Sequence, residues 1–137
     1  MTNIQFDDGM QGYQINNGGI LWFNPADPNI YTRFLQLDQK LEQLQKELSG
    51  LPDSAQQLSE ADRRLKQLLG WVFGQHNDFQ SLLSGVSLLA VAGNGQRVLT
   101  NFLQALEPIL KQGANQCVQD LTEAAVEQAA ARRQSQC

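Results

Sequence analysis

The chain has 137 residues, 42% of them apolar, and its 10 basic and 14 acidic side chains give a net charge of −4. That length suits one domain with a modest core. The acidic balance, with no block of like charge, argues against nucleic acid as a partner, because phosphate binding needs a basic face.

The first 23 residues read as strands. Asp8-Gly9 and Asn17-Gly18 supply residues tolerant of positive φ, and short runs with aromatic and β-branched residues flank them. Ile4–Phe6, Gln11–Ile15 and Ile20–Phe23 are therefore expected to form a small antiparallel ribbon. Its last strand, Ile-Leu-Trp-Phe, is apolar on both faces. One face should pack on the domain and the other should meet a partner or a second layer, unless the strand is fully enclosed.

Asn24-Pro-Ala-Asp-Pro then marks a switch to helix, with Asp27 as the favoured cap and Pro28 at the first helical position. From Ile30 through Phe34, Leu37, Leu41 and Leu44 to Leu48, apolar residues recur at spacings of 4, 3, 4, 3 and 4 on an otherwise polar helix. So narrow a stripe must lie against another helix. Ser49 to Ser54 breaks the helix, with Gly50 as the stop and Asp53 or Ser54 as the next cap. A second seam at Leu58, Ala61, Leu65, Leu68 and Val72 completes an antiparallel helical hairpin over residues 27–72.

Asp78 is a plausible cap for a third helix from Phe79 to Ala92, and Gly93-Asn-Gly makes the next break. Its apolar part, Leu82–Ala92, is far shorter than the roughly 20 residues of a membrane span and reads as a buried helix. Val98, Leu99, Phe102, Leu103, Leu106, Ile109 and Leu110 mark a fourth helix, bent near Pro108. Beyond Gly113 the apolar density falls to a weak stripe of Cys117, Val118, Leu121, Ala125 and Ala129, so residues 114–137 read as a frayed or partner-dependent helix or tail. The expected architecture is mainly α: one domain over 1–113, made of the ribbon (1–23), the hairpin and two further helices (78–112). Met1–Phe6 lacks the pattern of a secretory signal, which implies the cytoplasm, and Cys117 and Cys137 are read as free thiols.

Little in the chain suggests catalysis. His76 is the only histidine and is read as a turn residue, so neither a metal site of several imidazoles nor a Ser-His-Asp set has a basis. Gly93-Asn-Gly lacks the lysine and third glycine of a phosphate loop. Asp7-Asp8 and the pair Glu60 and Asp62 read as solubilising charges, and Arg63, Arg64 and Lys66 as a solvated helix face. No catalytic, cofactor or metal-binding residue is assigned. Aromatic anchors dominate interfaces, which singles out Trp22, Phe23, Phe34, Trp71 and Phe73 as candidates for client binding or self-association, each also readable as ordinary core.

The segment Gly19-Ile-Leu-Trp-Phe-Asn-Pro-Ala-Asp-Pro-Asn-Ile-Tyr-Thr-Arg-Phe-Leu-Gln-Leu resembles the small tail assembly chaperones of long-tailed phages and prophages, chiefly of Gram-positive hosts. Phe-Asn-Pro, Asp-Pro-Asn and Phe34 fit their strand-to-helix passage. Val72-Phe-Gly, Leu82–Ala92 and Val98–Leu110 are similar in order to the second half of that family. The resemblance runs from Ile20 to Leu110; the Gly- and Asn-rich start and the Gln- and Ala-rich end depart from it. It implies a non-enzymatic factor that coats the tape-measure protein, recruits tail-tube subunits and is missing from the mature virion; self-association is expected separately, from the narrow seams and aromatic anchors. A structural tail or connector component, or a helical host adaptor, remains the alternative.

Overall fold

The computed structural model describes residues 1–50 and 54–135, with side chains described through Gln119 and at Leu121. Two strands, β1 (Gln11–Gln14) and β2 (Ile20–Phe23), precede four helices: α1 (Pro28–Leu48), α2 (Ser54–Phe73), the single turn α3 (Phe79–Leu82) and the long α4 (Val98–Ser135). The molecule is mainly helical with an N-terminal antiparallel pair of strands, as the sequence implies. Asp53 and Cys137 lie outside the described residues.

Among the described residues the ribbon has two strands rather than three, and Ile4–Phe6 has no strand partner; Ile4 and Phe6 are exposed at 80% and 79%. β1 and β2 pair with Gln11 opposite Phe23 and Gln14 opposite Ile20. The connecting turn places its two left-handed residues at Asn16 (φ 47) and Asn17 (φ 64), one position earlier than Asn17-Gly18 predicts. Asparagine tolerates that conformation, so the adjacent pair serves as well as Asn-Gly. Leu21 and Phe23 are fully buried, whereas Ile20 and Trp22 on the other face are exposed at 46% and 47%.

Asp27 caps α1 as expected: its carboxylate accepts from the Asn29 N–H at 2.9 Å, and Pro28 follows in the first turn. Ser49 is the C-cap, in a right-handed conformation with its hydroxyl donating to the Lys46 carbonyl at 2.7 Å, and Gly50 follows at the first position past the cap. Along the α1 seam Ile30, Leu37 and Leu44 are buried, while Phe34, Leu41 and Leu48 are half-buried on its flanks. The hairpin is antiparallel: Arg33 donates to the Val72 carbonyl near one end, and Glu47 pairs with Arg64 toward the other.

α2 buries more than a seam. Ala61, Leu65, Lys66, Leu69, Gly70, Val72 and Phe73 are all covered, because its C-terminal half carries α1 on one side and β2 and α3 on others. Leu58, assigned to the seam, is instead 57% exposed. Arg63 and Arg64 do lie on the surface with ion pairs to Glu60 and Glu47. Lys66 does not. It is 7% exposed with its ammonium 2.9 Å from the Asp62 carboxylate, which also accepts the Leu88 N–H at 2.8 Å. Asp62 is therefore a structural tie rather than a solubilising charge.

Asp78 caps α3 through the Gln80 and Ser81 amides, but the expected helix to Ala92 ends after one turn. Gly85 adopts φ +78, and Asp62 captures the Leu88 amide that a helix would have used. Tertiary hydrogen bonding overrides local apolar content here. The chain instead forms a looped strap that turns at Ala92–Gly95 and is closed by Val98 N–H to Ala90 carbonyl (2.8 Å) and Leu99 N–H to Leu88 carbonyl (2.9 Å). α4 then runs unbroken through Pro108 and Gly113 to Ser135. It packs on the body with Leu106 and Leu110, and at Gly113, which is buried directly against the Pro25 carbonyl.

Candidate protein interaction site

The five aromatic candidates do not converge. Phe23 and Phe73 are buried at 0% and 1% exposure, with ring centroids 5.0 Å apart. Phe73 continues to Phe79 and Phe79 to Phe102, so a chain of rings ties β2, α2, α3 and α4 together. Both are core residues and present no surface to a partner. Phe34 is half-buried on the flank of α1. Trp71, also half-buried, lies on the polar side of the hairpin with the Lys40 ammonium 5.2 Å from its ring centroid, an arrangement that favours a cation over the indole face. Trp22 alone combines an indole with substantial exposure.

Trp22 is held by its backbone. The Asn77 side chain, 6% exposed, accepts the Trp22 N–H at 2.9 Å and returns its amide N–H to the Trp22 carbonyl at 2.8 Å. A third bond runs from the same nitrogen to the Phe73 carbonyl at 3.2 Å. His76 Nε2 also donates to the Trp22 carbonyl at 2.9 Å. The inner edge of β2 is thus closed by side chains of the turn between α2 and α3, which fixes the indole outward. Beneath that indole lies Gly12, where any side chain would run into Trp22 and Ile20. On the inner face Tyr13 stacks on Phe23 at 4.9 Å, and burial pushes its phenol above the ordinary 10.0.

The sequence reading missed the other feature. Where the hairpin meets the strap, α1 contributes Leu41, Leu44 and Leu48, α2 contributes Leu58, Ala61 and Leu65, and Leu89 and Leu99 close a groove of about 580 Å³. Ala61, Leu44 and Leu65 form a buried floor, whereas Leu58 stands on the rim. Arg97 fixes the wall, donating to the Leu89 carbonyl at 2.7 Å. The opposite side of the hairpin is a smaller, more polar groove of about 350 Å³ bearing Lys40, Glu47, Arg64 and Trp71. Six of the eight apolar lining residues belong to the two helices, so their signal was in the seams. Which stretch of seam stays uncovered depends on the strap, which the sequence did not reveal.

The apolar groove has the size of a ligand site, and among the described residues that line it Arg97 is the one ionisable side chain. Among the described residues no three His, Cys, Asp or Glu side chains gather to hold a metal ion. Nor is any described helix long and apolar enough to cross a membrane. What this surface can do is receive a ridge of apolar side chains. Comparison with protein-family models, with curated proteins and with solved structures finds no match to this chain.

Proposed function

We propose that this chain is a non-enzymatic assembly chaperone of long-tailed phage, which binds the tape-measure protein in the host cytoplasm and recruits tail-tube subunits. The resemblance of Ile20–Leu110 supplies the identity of the client, and the leucine-lined groove between α1, α2 and the strap carries the reading. An apolar-striped helix can lay alternate turns into such a groove, with its exposed Leu58 rim as the first contact. A chaperone must also let go. One groove of this size gives modest affinity, and several copies along a long client supply the rest through multivalency.

Co-expression with a tape-measure protein encoded beside it, the neighbour this reading requires, tests the reading. The expected result is a soluble client that co-purifies with this chain. An insoluble client with this chain running alone overturns it. Leu58→Glu locates the contact, because Leu58 is mostly exposed and an acidic residue suits the first turns of a helix. Its unfolding temperature should stay near that of the parent, while client binding weakens about tenfold or more. Unchanged binding would remove the groove from the proposal.

A further inference from the structure

The outer edge of β1 is an open template. In the observed register Gly12 and Gln14 lie opposite Trp22 and Ile20. Trp22 turns its N–H and carbonyl away from β1 toward Asn77, so the opposite residues turn theirs the other way, to solvent. No backbone partner meets them among the described residues. The edge sequence Gln-Gly-Tyr-Gln carries no charge and no proline, the usual protections of an exposed edge.

The same chain presents a strand without a sheet. Thr2-Asn-Ile-Gln-Phe6 is uncharged, has its apolar residues Ile4 and Phe6 at strand spacing, and leaves both about four-fifths exposed. Extended, five residues span roughly 17 Å at about 3.3 Å each, enough to cover the four-residue edge. The base of this arm is fixed. Gly9 and Met10 donate to the Asp7 and Asp8 carboxylates at 2.9 and 3.1 Å, and Asn24, which follows β2, donates to the Asp8 carbonyl at 3.0 Å. That last bond tethers the arm toward the end of β2, away from the outer edge of its own β1.

We infer that two copies of this chain exchange N-terminal arms, residues 2–6 of each adding a strand to the outer edge of β1 in the other. Donor strand and acceptor edge belong to one ribbon, so the exchange is reciprocal and closes as a two-fold dimer. The exposed indole of Trp22 and side chain of Ile20 lie on the ribbon face that the added strands extend. This inference does not rest on the chaperone reading, and its test needs no client.

Sedimentation equilibrium of the purified full chain should give a dimer. Deleting residues 2–6 should give a monomer with a dimerisation constant weakened at least tenfold. So should Gln14→Pro, which removes an outward N–H and the long bond of the Gln14 side chain to the Gly18 carbonyl (3.4 Å) and follows a residue already extended; Gln14→Lys is the milder second edge variant. Mixing is the decisive arm. The deletion keeps a free edge and Gln14→Pro keeps a free arm, so a fluorescently labelled deletion variant should gain anisotropy when titrated with Gln14→Pro, but not with itself. A monomeric parent chain, a dimer indifferent to both changes, or no complex on mixing would each overturn the exchange. In a background of Cys117→Ser and Cys137→Ser, an Ile4→Cys/Gln14→Cys cross-link should join two chains; closure within one chain would show that the arm covers its own edge.

Discussion

Asn77 stands where another strand would otherwise have to be. Its amide offers one acceptor and two donors, and all three are used, on the Trp22 N–H and on the Trp22 and Phe73 carbonyls. Asn77→Ala leaves a buried N–H and carbonyls short of partners, which costs about 2 kcal/mol or more. Thermal unfolding should register that loss. The pair of Lys66 and Asp62 predicts an asymmetry. Asp62→Ala strands a nearly buried ammonium and the Leu88 amide together, whereas Lys66→Met keeps the stem and leaves a carboxylate that still reaches both solvent and Leu88. The first should destabilise by about 2 kcal/mol more than the second, and equal losses in chemical denaturation would mean that the ammonium is not the group at stake. Tyr13 gives a pH signature. Its folded phenol titrates above 10.0 because burial disfavours the charged form. Stability is therefore intact below pH 10.0 and declines as pH rises from there toward the folded value. Tyr13→Phe should flatten that decline in a series of melts at rising pH.

Gly113 shows how an element depends on a single missing side chain. In the middle of a helix glycine is unfavourable by up to about 1 kcal/mol relative to alanine, yet here the helix axis comes so close to the Pro25–Ala26 turn that an added Cβ would overlap the Pro25 carbonyl. Gly113→Ala should therefore destabilise, by about 1–3 kcal/mol despite the better propensity; a rise in melting temperature would mean that α4 does not pack there. Falling apolar density and a helix breaker coincide at this glycine, which is why the sequence places the end of the domain there; in the structure it is also a contact that, with Leu106 and Leu110, seats α4. The elements with strong local signals were legible: the cap at Asp27, the cap at Asp78, both hairpin helices and the amphipathic stretch from Val98. Much of what was not legible depended on partners remote in sequence. Leu88 is drawn out of a helix by Asp62, 26 residues away, and Phe23 and Phe73 are enclosed by rings from β1, β2, α2 and α3; Lys66 pairs with Asp62 one turn away, but its burial comes from the surrounding fold. Of the five aromatic candidates, only Trp22 owes its exposure to something the sequence announced, a strand apolar on both faces.

At the scale of the whole molecule the hairpin is scaffold and the flanking segments decide its stability. α1 buries little beyond Ile30, Leu37 and Leu44; α2 is covered further by Phe23 of β2 and Phe79 of α3, and α4 packs against α1 while its Leu106 and Leu110 join the same core. Burying three such side chains does not offset the conformational entropy lost in ordering the 21 residues of α1. Ribbon, hairpin and α4 must therefore fold together. A chain ending at Arg97 should lose cooperative unfolding altogether, because Leu106 and Leu110 leave with α4 and expose the ring of Phe79 that Phe102 caps. In the full chain Trp22 reports on the ribbon and Trp71 on the hairpin. Single-tryptophan variants, Trp22→Phe and Trp71→Phe, should each show a fluorescence transition that coincides with loss of helical circular dichroism in the same variant. Separate midpoints would make the ribbon an independent unit, and the arm it carries would then be free to pair whether or not the helices are folded.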